Sequence, residues 1–274
     1  MKRILVPTDF SKHAEEALKS AVQIAKKNGS EIFLLHLLEL PHQLHDAMTN
    51  GSSIPEVMLF IKKAHEKLQK IKEQPHLQGI TISTTVQFER AFDGILSFNK
   101  KNNIDLIVMG SSGSSGIEEM LIGSNTEKVV RLSDIPVLVV KKDLDTFNIK
   151  NIVFASDFTK EIKKPFLKMI EFANIFDANL AVVMICTPNS FKTTAIAEKT
   201  MKDFIADFEV KNYSINIYND SNIEKGIRNF TNTIGADLIG LCTHGRTGLS
   251  HFFNGSIGED LVNHSTKPVI TFKI

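Results

Sequence analysis

Two stretches of this chain, 132 positions apart, carry the same punctuation: Gly113, Gly116, Gly123, Ser124 and Glu127 recur as Gly245, Gly248, Gly255, Ser256 and Glu259. No other feature constrains the fold as strongly, because a pattern repeated in register means two copies of one structural unit. Residues 110–116 read GSSGSSG, which alone would pass for a flexible linker. A linker has no reason to keep that register in a second copy.

Each glycine segment follows a short apolar run, at 106–109 and 238–242. Without a Cβ, glycine lets backbone N–H groups converge on an anion and permits positive φ. Residues 124–127, Ser-Asn-Thr-Glu, read as a capping box with Ser124 at the N-cap and Glu127 reaching back. That helix would aim its free N–H groups and the positive end of its dipole at the same anion. The sequence therefore predicts an anion-binding, phosphate-type loop.

The repeat extends outward. Asp157 stands 148 positions after Asp9, and Pro268 stands 132 after Pro136, so the second copy has lost about four helical turns of chain. The loss falls between its second and third strands. At 274 residues the chain can supply both copies with a core. The apolar runs and helical stripes alternate as βαβαβαβαβ, first over strands at 4–6, 32–38, 81–88, 104–109 and 137–140. Helices are expected at 11–28, with Ser11 as its cap, at 55–73, at 95–101 and after Ser124. Residues 141–148 read as a linker, giving domains at 1–143 and 148–274. Strands at 152–155, 180–185, 214–218, 238–242 and 269–272, and a helix capped by Thr159, repeat the plan. The fold class is α/β, with a mostly parallel sheet in each half.

Thirty-two basic against 31 acidic residues leave no net field toward nucleic acid or an anionic membrane, and neither partner is expected. Two isolated cysteines, Cys186 and Cys242, on or beside buried strands, suit free thiols in a reducing compartment. The N-terminal apolar run stops at Pro7, and no run reaches the length of a membrane span. A cytoplasmic location is expected. His36 reads as a core histidine, and Asp105 and Asp237 as groups that cap strand entrances. Neither GxGxxG nor a P-loop ending in Lys-Ser/Thr is present. Ligands of open α/β sheets sit at the carboxyl ends of strands where strand order reverses. If the first and fourth strands are neighbours there, Asp9 and the 110–124 loop share one crevice.

At this point the sequence resembles a known family. VPTDFS at 6–11, the string of Gly110, Gly113, Gly123 and Ser124, and the closing PVLVV at 136–140 are similar to universal stress protein domains, two in tandem. THGRTGLSHFFNGS at 243–256 is nearer still to the family's usual wording. The resemblance implies two Rossmann-like, HUP-type domains, each a five-stranded, mostly parallel sheet flanked by helices, that in many members bind ATP, with AMP or ADP as variants and Mg²⁺ alongside. It implies that Asp9 and Leu37 contact adenine. Gly110, Gly113, Gly123 and Ser124 would hold ribose and phosphates, and Asn125 and Thr126 would face the phosphates or Mg²⁺. The second-half counterparts are Asp157, Ile185, Gly245, Gly255 and Ser256. No residue is given a catalytic or metal-ligating role. The resemblance also implies that the last strands, 137–140 and 269–272, pair antiparallel within the chain, with homodimerisation left to another surface.

Both halves depart from the pattern. Ser112 and Ser114 stand where the second half has His244 and Arg246, Cys242 replaces the first glycine, and Gly258 replaces Thr126. A regulatory nucleotide, turned over slowly or not at all, is therefore one reading. A non-enzymatic scaffold with one or both pockets vestigial is the other. Phosphorylation of the serines at 111–115 is a third.

Overall fold

Ile4, Leu5 and Val6 are wholly buried, as a strand covered on both faces demands. In this computed structural model, which describes residues 1–39, 54–111, 123–141, 147–243 and 261–274, they form β1 (Arg3–Pro7). α1 (Lys12–Asn28) follows, capped by Ser11 Oγ, which accepts the Ala14 N–H at 3.2 Å. Gly29 ends it in the left-handed region at φ 66, a conformation that suits glycine. Then come β2 (Glu31–Leu38), α2 (Ile54–Lys72), β3 (Ile82–Phe88), α3 (Ala91–Asn102), β4 (Leu106–Gly110), α4 (Ser124–Leu132) and β5 (Val137–Val140).

The second half runs β6 (Asn151–Ala155), α5 (Lys163–Phe176), β7 (Asn179–Cys186), α6 (Thr194–Ile205), β8 (Tyr213–Asn219), α7 (Ile223–Thr233), β9 (Leu238–Thr243) and β10 (Val269–Lys273). α6 and α7 fill helical places of the repeated βαβαβαβαβ plan. α2 has 19 residues and α6 has 12, which locates the second copy's shortening between β7 and β8.

The strands form one ten-stranded sheet in the order β3-β2-β1-β4-β5-β10-β9-β6-β7-β8. Every pairing is parallel except β5 with β10, where Val139, Leu138 and Val137 oppose Val269, Ile270 and Thr271. Alternate residues point to opposite faces. Ile4, Val6, Ile152 and Phe154 join the core layer on one side, and Leu5, Val153 and Ala155 the layer on the other. Lys273 crosses between halves to Asp134 at 2.7 Å, and Lys141 donates to the carbonyls of Val262 and Asn263. Burial pushes Lys141 down to about 8.

Asp105 Oδ2 accepts the amides of Lys2 and Arg3 at 2.6 and 3.0 Å. Asp237 Oδ2 does the same for Lys150 and Asn151 at 2.8 and 2.9 Å. Both aspartates thus fasten strand entrances.

Three local expectations need correction. Ser124 is not the N-cap of α4; Gly123 is, with no side-chain cap, because the first helical bond runs from Glu127 N–H to Gly123 O at 3.0 Å. The box is therefore one residue out of register. Thr159 makes no side-chain cap; a 3₁₀ turn at Lys160–Ile162 intervenes before α5. β4 begins at Leu106, because Asn103 adopts φ 50 and Ile104 N–H still closes α3 on Asn99 O.

Candidate functional site: a crevice at the switch point

β1 pairs with both β2 and β4, so strand order reverses beside β1 and the chains leaving β1 and β4 part to leave a gap. A crevice of about 310 Å³ lies there, bordered by Thr8, Asp9, Leu37, Glu39, Gly110 and the segment 123–126. Of the first-half residues singled out from sequence, it gathers Asp9, Leu37, Gly110, Gly123, Ser124, Asn125 and Thr126. Gly113 lies outside the described residues.

The crevice wall is built from three tied segments. After β1, Phe10 N–H donates to Thr8 Oγ1 at 3.1 Å and Ser11 N–H to Asp9 Oδ1 at 3.0 Å. These bonds hold Phe10 at φ 65, where a bulky residue is strained, and fix the Asp9 carboxylate at the rim. His36 Nδ1 donates to the Thr8 carbonyl at 2.7 Å, and its ring lies 4.3 Å from that of Phe10. Burial, before any other influence, holds the imidazole below its ordinary pKa, so it serves as a neutral buttress.

β4 and α4 are joined by Gly123 N–H to Ser111 O at 2.7 Å and by Thr126 Oγ1–H to Gly110 O at 3.0 Å. Thr126 is buried while Ser124 and Asn125 are exposed. The first turn of α4 lacks a side-chain cap, and a helix start of this kind presents N–H groups that an anion can take.

Gly110 has a reason that sequence could not supply. A Cβ there would stand 2.7 Å from the carbonyl carbon, Cβ and oxygen of His13, so the first turn of α1 lies directly on β4. Two residues of the crevice region escaped the sequence reading. Glu39 Oε1 accepts the Ala91 N–H at 2.7 Å, capping α3. Gly94 lets α3 approach the Leu37 side chain, since a Cβ would fall 2.4 Å from its Cδ2. Gly226 does the same for Ile185 at 2.5 Å. The signal was present, because Gly94 and Gly226 keep the 132-residue register of the glycine loops.

In the second half, Ser156 Oγ and Asp157 Oδ1 accept the amides of Phe158 and Thr159 at 3.2 and 3.4 Å, and Phe158 sits at φ 59. Asp157 and Ile185 therefore occupy the places of Asp9 and Leu37. Cys242 is buried, and burial followed by the Asp157 charge raises its pKa, which keeps the thiol protonated and inert. Gly245, Gly255 and Ser256 lie outside the described residues, as do His244, Arg246 and Gly258.

Among the described residues, no group of three or more His, Cys, Asp or Glu side chains is placed to hold a metal ion. Nor is any helix among them long and apolar enough to cross a membrane.

The universal stress protein family model matches residues 1–141 and 215–273. Universal stress protein MJ0531 of Methanocaldococcus jannaschii is 34% identical over 142 residues, covering 52% of this chain and 82% of that protein. Universal stress protein Slr1230 of Synechocystis is 22% identical across the full length of both chains. The crystal structure of a universal stress protein from Archaeoglobus fulgidus superposes with a TM-score of 0.77 at 22% identity, over 99% of this chain and 98% of that one. At that identity the likeness speaks for the fold.

Proposed function

The chain belongs to the universal stress protein family, and from that premise we propose that it binds ATP, with ADP or AMP as variants, as a regulatory ligand in the first-half crevice. One observation carries the reading: the uncapped first turn of α4 opens onto a crevice that also holds Asp9 and Leu37. The phosphates would take the N–H groups of 124–126 and the hydroxyl of Ser124. Leu37 and Ile95 would offer the base an apolar wall, and Asp9 would accept a hydrogen bond from its amino group.

The described lining carries two carboxylates, Asp9 and Glu39, and no Lys, Arg or His. Mg²⁺ bound to the phosphates would offset that charge. With no cation in the described lining to stabilise a leaving phosphate, hydrolysis is expected to be slow or nil. Two domains, 1–143 and 148–274, would act as one unit through the β5–β10 ladder. Two free, buried thiols suit the cytoplasm.

Isothermal titration of the full chain with ATP and Mg²⁺ tests the proposal. Micromolar binding is expected, and Ser124→Asp should weaken it about tenfold or more, since an anion at this helix position favours the helix but repels phosphate. Absence of heat from the unaltered chain would overturn the reading. A second reading, a scaffold with a vestigial pocket, is favoured in the second half by Cys242, which adds a side chain at the place of Gly110. Partner capture unaffected by Ser124→Asp would support it.

A further inference from the structure

The two halves differ beside the crevice, on the far side of the turn that carries Asp9. In the second half, Phe158 of that turn meets Phe204 of α6, which meets Phe166 of α5 and Phe208 beyond α6, with ring centroids 5.0 to 5.5 Å apart. These rings fill the space between α5 and α6. In the first half the corresponding space, between α1 and α2, is a cavity of about 220 Å³.

The substitutions that empty it can be named. Leu18 holds the repeat position of Phe166, 148 residues apart, as Phe10 does that of Phe158. Where Phe204 packs on the Phe158 ring, Lys67 lies over the Phe10 ring, its Nζ 4.7 Å from the centroid. Ile71, four residues on from Lys67, answers to Phe208, four on from Phe204. The cavity is thus walled by buried Ala14 and Leu18 and half-buried Phe10 and Ile71, with Lys67 and Lys70 exposed beside it. Neither lysine forms an ion pair among the described residues. Among the described lining residues the acid is Glu15, which is paired with Lys19 at 3.1 Å.

We infer that this cavity is a second ligand site, which takes a small single-ring aromatic carboxylate. The ring would replace the phenyl groups that plug the second half, and the carboxylate would meet the two lysines. The pocket opens to solvent, and its apolar floor of Phe10, Ala14, Leu18 and Ile71 lies where the sister domain holds aromatic rings, so a ring is the body that this floor accommodates. An apolar body alone would not use Lys67 and Lys70, and an anion alone would not use Leu18 and Ile71.

The test is fluorine NMR of the full chain with 4-(trifluoromethyl)benzoate, against 4-(trifluoromethyl)benzyl alcohol as the uncharged probe. The benzoate signal should broaden and shift on binding, and the alcohol should bind about tenfold more weakly, the loss expected for a charge-assisted contact. Leu18→Phe, which copies the second half, should abolish both. Lys67→Gln with Lys70→Gln should lower benzoate affinity to that of the alcohol. Ser124→Asp, altered only in the neighbouring crevice, should leave benzoate binding unchanged, so failure here is separable from failure of the nucleotide reading. Should Leu18→Phe not fold, Ile71→Phe closes the same space from α2. An unperturbed benzoate signal at millimolar concentration, equal binding of the alcohol, or binding that survives both fillings would overturn the inference. So would its loss on Ser124→Asp.

Discussion

Replacing Gly110 by alanine separates two explanations of one glycine. If Gly110 serves only to let a ligand approach, alanine should be harmless to the free protein. Its φ is not in the left-handed region, and replacing glycine where alanine fits stabilises by about 0.4–1 kcal/mol through the unfolded chain. The structure predicts the opposite sign. The new Cβ would lie 2.7 Å from three atoms of His13, two of them backbone, where carbon contacts prefer roughly 3.5–4.0 Å. α1 cannot retreat cheaply, because Ser11 caps it and Ala14, Ala17 and Leu18 are buried against the sheet. Overpacking of this kind costs about 1–3 kcal/mol. Urea denaturation of the full chain should show a lower midpoint at unchanged slope for Gly110→Ala, and ATP affinity should fall as the Asp9–Ser11 turn is displaced. In the second half, where Cys242 holds the matching place, a 3₁₀ turn precedes α5, which starts three residues later in the repeat than α1 does. An unchanged or raised midpoint for Gly110→Ala would refute the packing argument.

Because burial lowers the pKa of His36 in the folded chain, the unfolded chain takes up that proton first as pH falls. Stability is therefore level above the ordinary value of about 6.5 and declines below it. Urea midpoints at pH about 7.5 and about 5.5 should differ, and His36→Gln should reduce that difference but not abolish it, since His76 is shifted the same way; an equal difference in the variant would remove His36 from the account. Thr271→Pro, opposite Val137 in the antiparallel β5–β10 ladder, should cost at least the roughly 1 kcal/mol of a lost hydrogen bond. Hydrogen exchange should then accelerate in β5 and β10 before β1 or β6; uniform acceleration would show that the halves do not separate there.

Much of this molecule is legible in the sequence because it rests on local chemistry. Short continuous apolar runs such as 4–6 and 152–155 suit strands covered on both faces, Ser11 and Gly29 bracket α1 by capping and left-handed geometry, and the 132-residue register of the glycines declares the duplication. The same local patterns fix which ends of the strands carry Asp9, Leu37 and the 123–126 segment, hence that they can meet. Whether they meet, and how, depends on atoms distant in the chain. That Ser124 sits inside α4 and not at its cap follows from the Gly123 carbonyl taking the first helical bond, a choice of one residue that propensity does not make. Gly110 is glycine because of His13, 97 positions earlier. Leu18 and Phe166 look equally suitable for the core in a sequence. Only the packing of α1 on α2, and of α5 on α6, decides that one leaves a cavity beside two lysines and the other closes it with a ring. Helices and strands follow from short-range bonding, whereas hollows follow from the summed volume of side chains brought together by the fold.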